Sequence, residues 1–262
     1  VSSSSRRSLA GARRAVNVSF RERTLAAGAS AWHEEPPEEP TMTATPTART
    51  PSTDPVVVDV FTDIVCPWCL IGVEHLQRAM AAREDLTFTV RLHPFLLDPR
   101  TPDEGVDLIE HLSKKYGRDV RGMFASVEEA GTRSGIAFDF SGRPRSFPSL
   151  RAHALVAFAE QHGVGPAVHR ALMEAYFVAR KNIADREVLA QIGVAHGLLR
   201  EDVLAVVDDE RALAALRSRV KDASQQGITG VPFFIFDEKL AFSGAQPVDV
   251  FLEVLREVRA VQ

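Results

Sequence analysis

In the stretch Val56-Val57-Val58-Asp59-Val60-Phe61-Thr62-Asp63-Ile64-Val65-Cys66-Pro67-Trp68-Cys69-Leu70-Ile71-Gly72, a β-branched apolar run passes directly into the only two cysteines of the chain. Residues 56–61 read as a buried strand and residues 67–82 as a helix. With Cys66 as the cap, Pro67 falls at the first helical position, where its missing N–H costs nothing. Cys69, Val73, Leu76 and Met80 then recur at i, i+4, i+7 and i+11, a stripe that faces a core. That phase shelters Cys69 one turn inside and leaves Cys66 at the exposed end. Helical residues three apart are neighbours, so the two sulfurs can bond. The positive end of the helix and its free N–H groups favour a thiolate at Cys66. Cys66 is therefore expected to attack and Cys69 to resolve. A disulfide closing so short a loop adds little entropic stabilisation, which suits it to being made and broken.

Two blander readings compete. A structural zinc needs four ligands, commonly two such pairs. Here there is no second Cys pair, and a helix points the nearby His75 elsewhere. Two buried, inert thiols are common among cysteines in general, but this spacing at a strand-to-helix junction argues for chemistry.

The 262-residue chain has a net charge of −4, with no basic excess to suggest a nucleic-acid surface. No apolar run is long enough to span a bilayer, so no membrane partner is expected. Two cysteines are too few for a disulfide-stapled scaffold. Residues 1–54 differ from the rest. Val1 to Arg23 holds Ser2 to Ser5, six arginines and one acid, Glu22. Residues 34–55 form a Glu/Pro, then Thr/Pro/Ser, tract without periodicity. Such composition buries too little apolar surface to order itself, so 1–54 is expected to be a disordered extension. Met42 lies shortly before the first strand, and arginine outnumbers lysine 26 to 5, as GC-rich coding produces. A true start at Met42 is the expectation, checked by intact mass of the native protein. The apolar core of a secretory signal is missing from either version, and the cytoplasm is the expected compartment.

Leu86 to Leu92 alternates, with Leu86, Phe88, Val90 and Leu92 on one face of a second strand. His93-Pro94-Phe95 and Asp98-Pro99 read as breaks. Helices are expected near 105–116, 119–133, 149–162, 165–180, 185–196 and 208–226, with a loop at Gly142-Arg143-Pro144 and Phe147-Pro148. Val231 to Phe236 reads as a buried strand that Asp237-Glu238 turns into 240–242. Pro247 opens a last helix striped by Val248, Phe251, Leu252, Leu255 and Val258. The order β-α-β, helical block, β-β-α predicts an α/β domain, residues 55–98 and 227–262, carrying an all-helical insertion over 99–226.

Cys66-Pro67-Trp68-Cys69 after the first strand, with Gly230-Val231-Pro232 opening the late one, resembles the thioredoxin superfamily and, within it, the DsbA-like family with a helical insertion. Asp63 to Gly72, Pro94-Phe95-Leu96-Leu97-Asp98-Pro99, Ala152-His153 and Gly244-Ala245-Gln246 are similar to the FrnE-like branch, whose members are cytoplasmic. The likeness covers about residues 55–260. It implies a thioredoxin-like fold, a cis peptide bond before Pro232 facing the cysteines, and thiol–disulfide oxidoreductase activity. Relatives in that branch carry Asn-Thr or Asn-Ser just before the Ala-His pair; here Pro148 stands where that Asn falls, which bears on substrate preference. Related isomerases and kappa-type transferases carry Ser at the first active-site position and use a bound thiol such as glutathione, which makes them the rival reading.

The resemblance names no tightly bound cofactor for a redox dithiol. Its partners would be a disulfide-bearing protein or small molecule and a cellular thiol reductant or oxidant. Pro67, Trp68, Val231 and Pro232 are the expected substrate-positioning residues, with Trp68 forming an apolar lip. His153, on an apolar helix face, reads first as a hydrogen-bonded core residue and second as a member of the substrate cleft. Gln246 reads as shaping a turn, Tyr176-Phe177 as core, and Lys114-Lys115 and Asp208-Asp209-Glu210 as solvated charges. Electron direction and oligomeric state are open in the residues alone.

Overall fold

The computed structural model describes residues 54–142 and 144–260; the expectations for residues 1–53, including a start at Met42, lie outside them. Val56–Thr62 forms β1, Pro67–Ala81 α1 and Phe88–Pro94 β2. The insertion follows as Val106–Asp107 (β3), Leu108–Tyr116 (α2), Arg121–Arg133 (α3), Arg145–Ser146 (β4), Leu150–Gln161 (α4), Gly165–Phe177 (α5), Arg186–Ala195 (α6), Arg200–Val207 (α7) and Glu210–Gln225 (α8). Phe233–Phe236 (β5), Leu240–Ser243 (β6) and Val248–Ala260 (α9) complete the order. The main sheet runs β2-β1-β5-β6. β1 and β2 are parallel, as a helical crossover requires, with Val56 opposite Phe88 and Thr62 opposite Pro94. β5 is antiparallel to both β1 and β6.

β1 is the central strand on which the fold hangs. Val56, Val58 and Val60 are fully buried in one core cluster with Leu70, Ile71 and Leu76 of α1 and Phe251 and Leu255 of α9. Phe234, Phe236 and Phe251 fill the same layer, with Phe251 edge-on to Phe234 at 5.0 Å between ring centroids. Burying each such ring is worth roughly 1.5–3 kcal/mol. The outer edge of β2 is not left open. The Leu92 N–H donates to the Glu160 carboxylate of α4 at 2.8 Å, and the Arg219 guanidinium of α8 reaches the Leu92 carbonyl at 3.5 Å. The insertion thus covers a sheet edge that would otherwise template pairing.

Parts of the sequence reading are corrected. His93-Pro94 does not break β2, which runs through Pro94; a proline without an N–H is tolerated on an edge strand. The insertion is helical as expected apart from one two-residue ladder, in which Val106 pairs antiparallel with Ser146 and Asp107 with Arg145. A helix also fills Arg200–Val207, where none is expected from pattern. It is eight residues long, its N-cap Leu199 offers no side-chain hydrogen bond, and neither a cap nor a sustained stripe announces it. Asp208 and Asp209 are more than solvated charges: Asp209 caps α8 by accepting from the Arg211 N–H, and Asp208 bridges Arg151 and Arg186.

On the other face of β1, Asp59 is 5% exposed and accepts from Arg91 Nε and Nη2 at 2.7 and 2.6 Å and from His93 Nε2 at 2.6 Å. Burial pushes its carboxyl up, but the bonds from His93 and Arg91 outweigh that and hold it at about 2, against an ordinary 3.8. A carboxyl depressed in the folded state stabilises the fold above its unfolded pKa, and that contribution is lost as pH falls through the folded value. Asp59→Asn is therefore expected to lower stability by about 2 kcal/mol at neutral pH and to change it little below about pH 2. Denaturant unfolding at the two pH values checks this.

Candidate functional site

The site forms where β1 hands over to α1. Cys66 is the N-cap of α1 at φ −98° and ψ 111°, with Pro67 just inside the helix. Its N–H donates to the Asp63 carbonyl at 3.0 Å, and its own carbonyl accepts from the Cys69 N–H at 3.0 Å. Both cysteines are free thiols. The peptide bond between Val231 and Pro232 is cis, as the resemblance implies, and the Cys66 Sγ lies 3.9 Å from the Val231 carbonyl oxygen. Gly72 explains how α1 comes so near this loop: a Cβ there would sit 3.1 Å from Pro232 Cγ and 3.1 Å from Phe234 Cζ. The Gly244 N–H, donated to the Pro232 carbonyl at 2.8 Å, ties the segment before α9 to the same loop.

Cys69 is sealed from solvent, as its helical phase predicts. Cys66 is not the exposed thiol expected. It is 4% exposed and belongs to the core cluster, because the Val231-Pro232 loop lies over the helix cap. The accessible apolar surface at this end belongs to Trp68, 40% exposed, and to Leu97. Burial pushes the Cys69 thiol up and the Cys66 sulfur beside it adds to the rise; the Asp63 backbone and the Thr62 hydroxyl pull it back down.

Beneath the pair lies a buried polar layer that sequence reasoning missed. Asp63 is 1% exposed. Its Oδ2 accepts from the Leu97 N–H at 2.7 Å, and its Oδ1 accepts from the Ser149 hydroxyl at 2.6 Å, with His153 Nε2 at 3.4 Å. Next to it, Thr62 Oγ1 and His169 Nε2 are 3.1 Å apart, both residues about 1% exposed. Burial, with His153 adding to it, holds the His169 imidazole down at about 3. Of the two readings of His153, the structure fits the hydrogen-bonded core residue and not a member of the substrate cleft: it is 3% exposed and turned to Asp63. Gln246 shapes a turn, its carbonyl accepting from His75 Nδ1 and its side chain donating to the Ser243 carbonyl.

A signal for Asp63 was present, since an acid inside an apolar run beside two cysteines must be either exposed or held by donors. Thr62, Ser149 and His169 gave none, because their partners come from distant segments. Among the described residues, no group of three or more His, Cys, Asp or Glu side chains is placed to hold a metal, and no helix is long and apolar enough to cross a membrane.

Comparison with known proteins bears on the family and the fold. A family model described as a DSBA-like thioredoxin domain matches residues 57–256. A probable DsbA oxidoreductase from Streptomyces coelicolor superposes with a TM-score of 0.72 at 29% identity, covering 79% of this chain and 91% of that one. The cytosolic disulfide reductase DsbM from Pseudomonas aeruginosa, solved with GSH, shares the fold at a TM-score of 0.58 and 22% identity, over 78% of this chain and 99% of that one. The ClpXP adapter protein SpxH of Bacillus subtilis is 27% identical over 217 residues, 78% of this chain and 68% of that protein.

Proposed function

We propose, from the premise that this chain belongs to the DSBA-like thioredoxin domain family, that it is a thiol–disulfide oxidoreductase of the FrnE-like branch working in the cytoplasm. The observation that carries the reading is the asymmetry of the pair. Cys66 caps the helix beside the Val231-Pro232 loop, and Cys69 is buried one turn behind it. In this reaction the Cys66 thiolate attacks one sulfur of a substrate disulfide. The substrate S–S bond breaks, one substrate sulfur leaves as thiolate, and a mixed disulfide forms. Cys69 then attacks Cys66, closing the Cys66–Cys69 bond and releasing the second substrate thiolate. The reverse sequence oxidises a substrate dithiol.

The backbone of Val231 and Pro232 offers a rail for the substrate chain, and Trp68 an apolar lip. The substrate is a disulfide-bearing protein or small molecule, and a cellular thiol reductant or oxidant restores the pair. No tightly bound cofactor takes part.

Cys69→Ser is expected to leave the mixed disulfide unresolved, so the variant accumulates covalent adducts in lysate that reductant releases. Redox titration of the unmodified protein should give a reversible two-electron couple. Saturable binding of glutathione or another low-molecular-weight thiol, with no dithiol cycling, would overturn this in favour of a thiol-dependent isomerase or transferase.

A further inference from the structure

Between the α3–α4 connection and the end of α5, the helical insertion encloses a cavity of about 170 Å³. Leu108, Phe140, Phe147, Tyr176 and Phe177 wall it. None of these belongs to the cysteine pair or to the polar layer beneath it. An apolar cavity of about 150 Å³ takes up benzene, so this one has the size of a single ring.

The walls are set by their own contacts. Phe140 and Phe177 meet edge-on at 6.4 Å between ring centroids, and Tyr176 and Phe177 at 4.7 Å. Phe138 lies against both Phe140 and Phe177, at 5.9 and 5.2 Å. The Tyr176 hydroxyl donates to the Arg145 carbonyl at 3.0 Å, which satisfies its polar end and leaves its ring to the wall. Rings fixed in this way lose little freedom when a guest enters, and they favour an aromatic guest that meets them edge-on or offset.

The charges at the cavity have one sign in excess. Arg145, Arg180 and Lys181 line it, against Asp139 alone. Asp139 is taken by Arg180. The Arg145 guanidinium lies over the Phe147 ring and donates only to the carbonyls of Glu104 and Gly105, so its charge stays uncompensated. Among the described residues, the Lys181 ammonium has no hydrogen-bond or ion-pair partner. Two cations therefore remain for a guest. The amino end of α2, through Leu108, and the carboxyl end of α5, through Phe177, both meet the cavity. Their partial charges oppose, which leaves the sign to the side chains. Arg180 also holds a left-handed φ of 51°, a conformation that favours glycine; backbone held against its preference concentrates at ligand sites.

We propose that this cavity binds a small aromatic carboxylate, its ring among Phe140, Phe147, Tyr176 and Phe177 and its acid group toward Lys181 and Arg145. The site is separate from the dithiol reading and does not depend on it.

Phenylacetate is the probe, titrated into the full chain by calorimetry, with amide NMR shifts locating it. For about ten non-hydrogen atoms the expected Kd is about 5 mM or tighter. Benzyl alcohol, a ring without charge, and acetate, a charge without a ring, should each bind at least about fivefold more weakly. Lys181→Gln changes an exposed side chain and leaves the walls intact. It should weaken phenylacetate about fivefold, the upper range for an exposed ion pair, and leave benzyl alcohol unchanged. Leu108→Trp fills the cavity and should abolish binding of both ring compounds, with thermal unfolding as the control for its fold. If that variant does not fold, the Lys181→Gln comparison decides alone. A Kd weaker than the one expected, phenylacetate bound no tighter than benzyl alcohol, or Lys181→Gln binding it as the unmodified protein does would each overturn the site. So would undiminished binding by a folded Leu108→Trp, or shifts that bypass Tyr176 and Phe177. The readout is binding and not exchange, so each of these results leaves the dithiol reading standing.

Discussion

Replacing Cys66 with Ser is expected to reduce disulfide exchange to the rate of buffer alone, with the fold intact. A serine oxygen forms no disulfide, so the attacking step is lost outright. Cys69 cannot take over, because it has no solvent contact and its burial beside Cys66 keeps it a protonated thiol. The change replaces one sulfur by oxygen at a buried position where the thiol makes one long hydrogen bond, 3.9 Å to the Val231 carbonyl, which a hydroxyl can also make. The effect on stability should therefore stay within about 1 kcal/mol. Turnover of a disulfide-bonded peptide, with thermal unfolding as the control, measures both. More than about a tenth of the original rate, a loss of under about 1.4 kcal/mol in barrier terms, would mean that the chemistry lies elsewhere. A variant that gains thiol-cofactor binding would point to the isomerase-like reading.

The parts of this site that were legible in the residues are those set by local pattern. The valine run of β1, Pro67 at the first position of α1 and the stripe through Cys69 and Leu76 depend on neighbours within a few residues, and each falls where periodicity puts it. The turn after β5 is of the same kind: Asp237 and Glu238 both adopt positive φ, the conformation a tight hairpin demands. The burial of Cys66 was not legible, because what lies over it is a loop 165 residues away. His153 shows the limit from the other side. Its helix and apolar neighbours were readable, but Asp63, the partner that turns it inward, lies 90 residues earlier. The likeness in residues 55–260 brought the cis bond before Pro232 into reach, which no pattern of hydrophobicity could. The polar layer of Thr62, Asp63, Ser149 and His169 escaped both, since it is assembled across β1, α4 and α5 only when the insertion closes onto the sheet.

Asp63→Ala is expected to be the most destabilising of the substitutions considered, by about 3–4 kcal/mol, which for a chain of this size is roughly 10 °C in Tm. The argument lies in what the carboxylate holds. It is 1% exposed, and its two oxygens accept from the Leu97 N–H, the Ser149 hydroxyl and His153. Those donors belong to the segment after β2, the residue before α4 and α4 itself, so one side chain pins three pieces of chain to the residue preceding the cysteines. Alanine leaves the Leu97 N–H and the Ser149 hydroxyl without that acceptor in a region that water reaches poorly. Each orphaned group costs about 1–3 kcal/mol. Asp63→Asn keeps one acceptor oxygen and should lose about half as much, so it remains folded if the alanine variant does not. The local consequence follows from the same contacts. The Asp63 carbonyl receives the Cys66 N–H at 3.0 Å, and a β1–α1 corner freed from its anchor lets the helix cap drift from the Val231-Pro232 loop. Exchange activity in Asp63→Asn should then fall more than its stability alone explains, measured well below its Tm. A loss under about 1 kcal/mol in Asp63→Ala, the level of an ordinary surface change, would show that the corner is held by packing of Ile64 and Leu70 and not by this carboxylate.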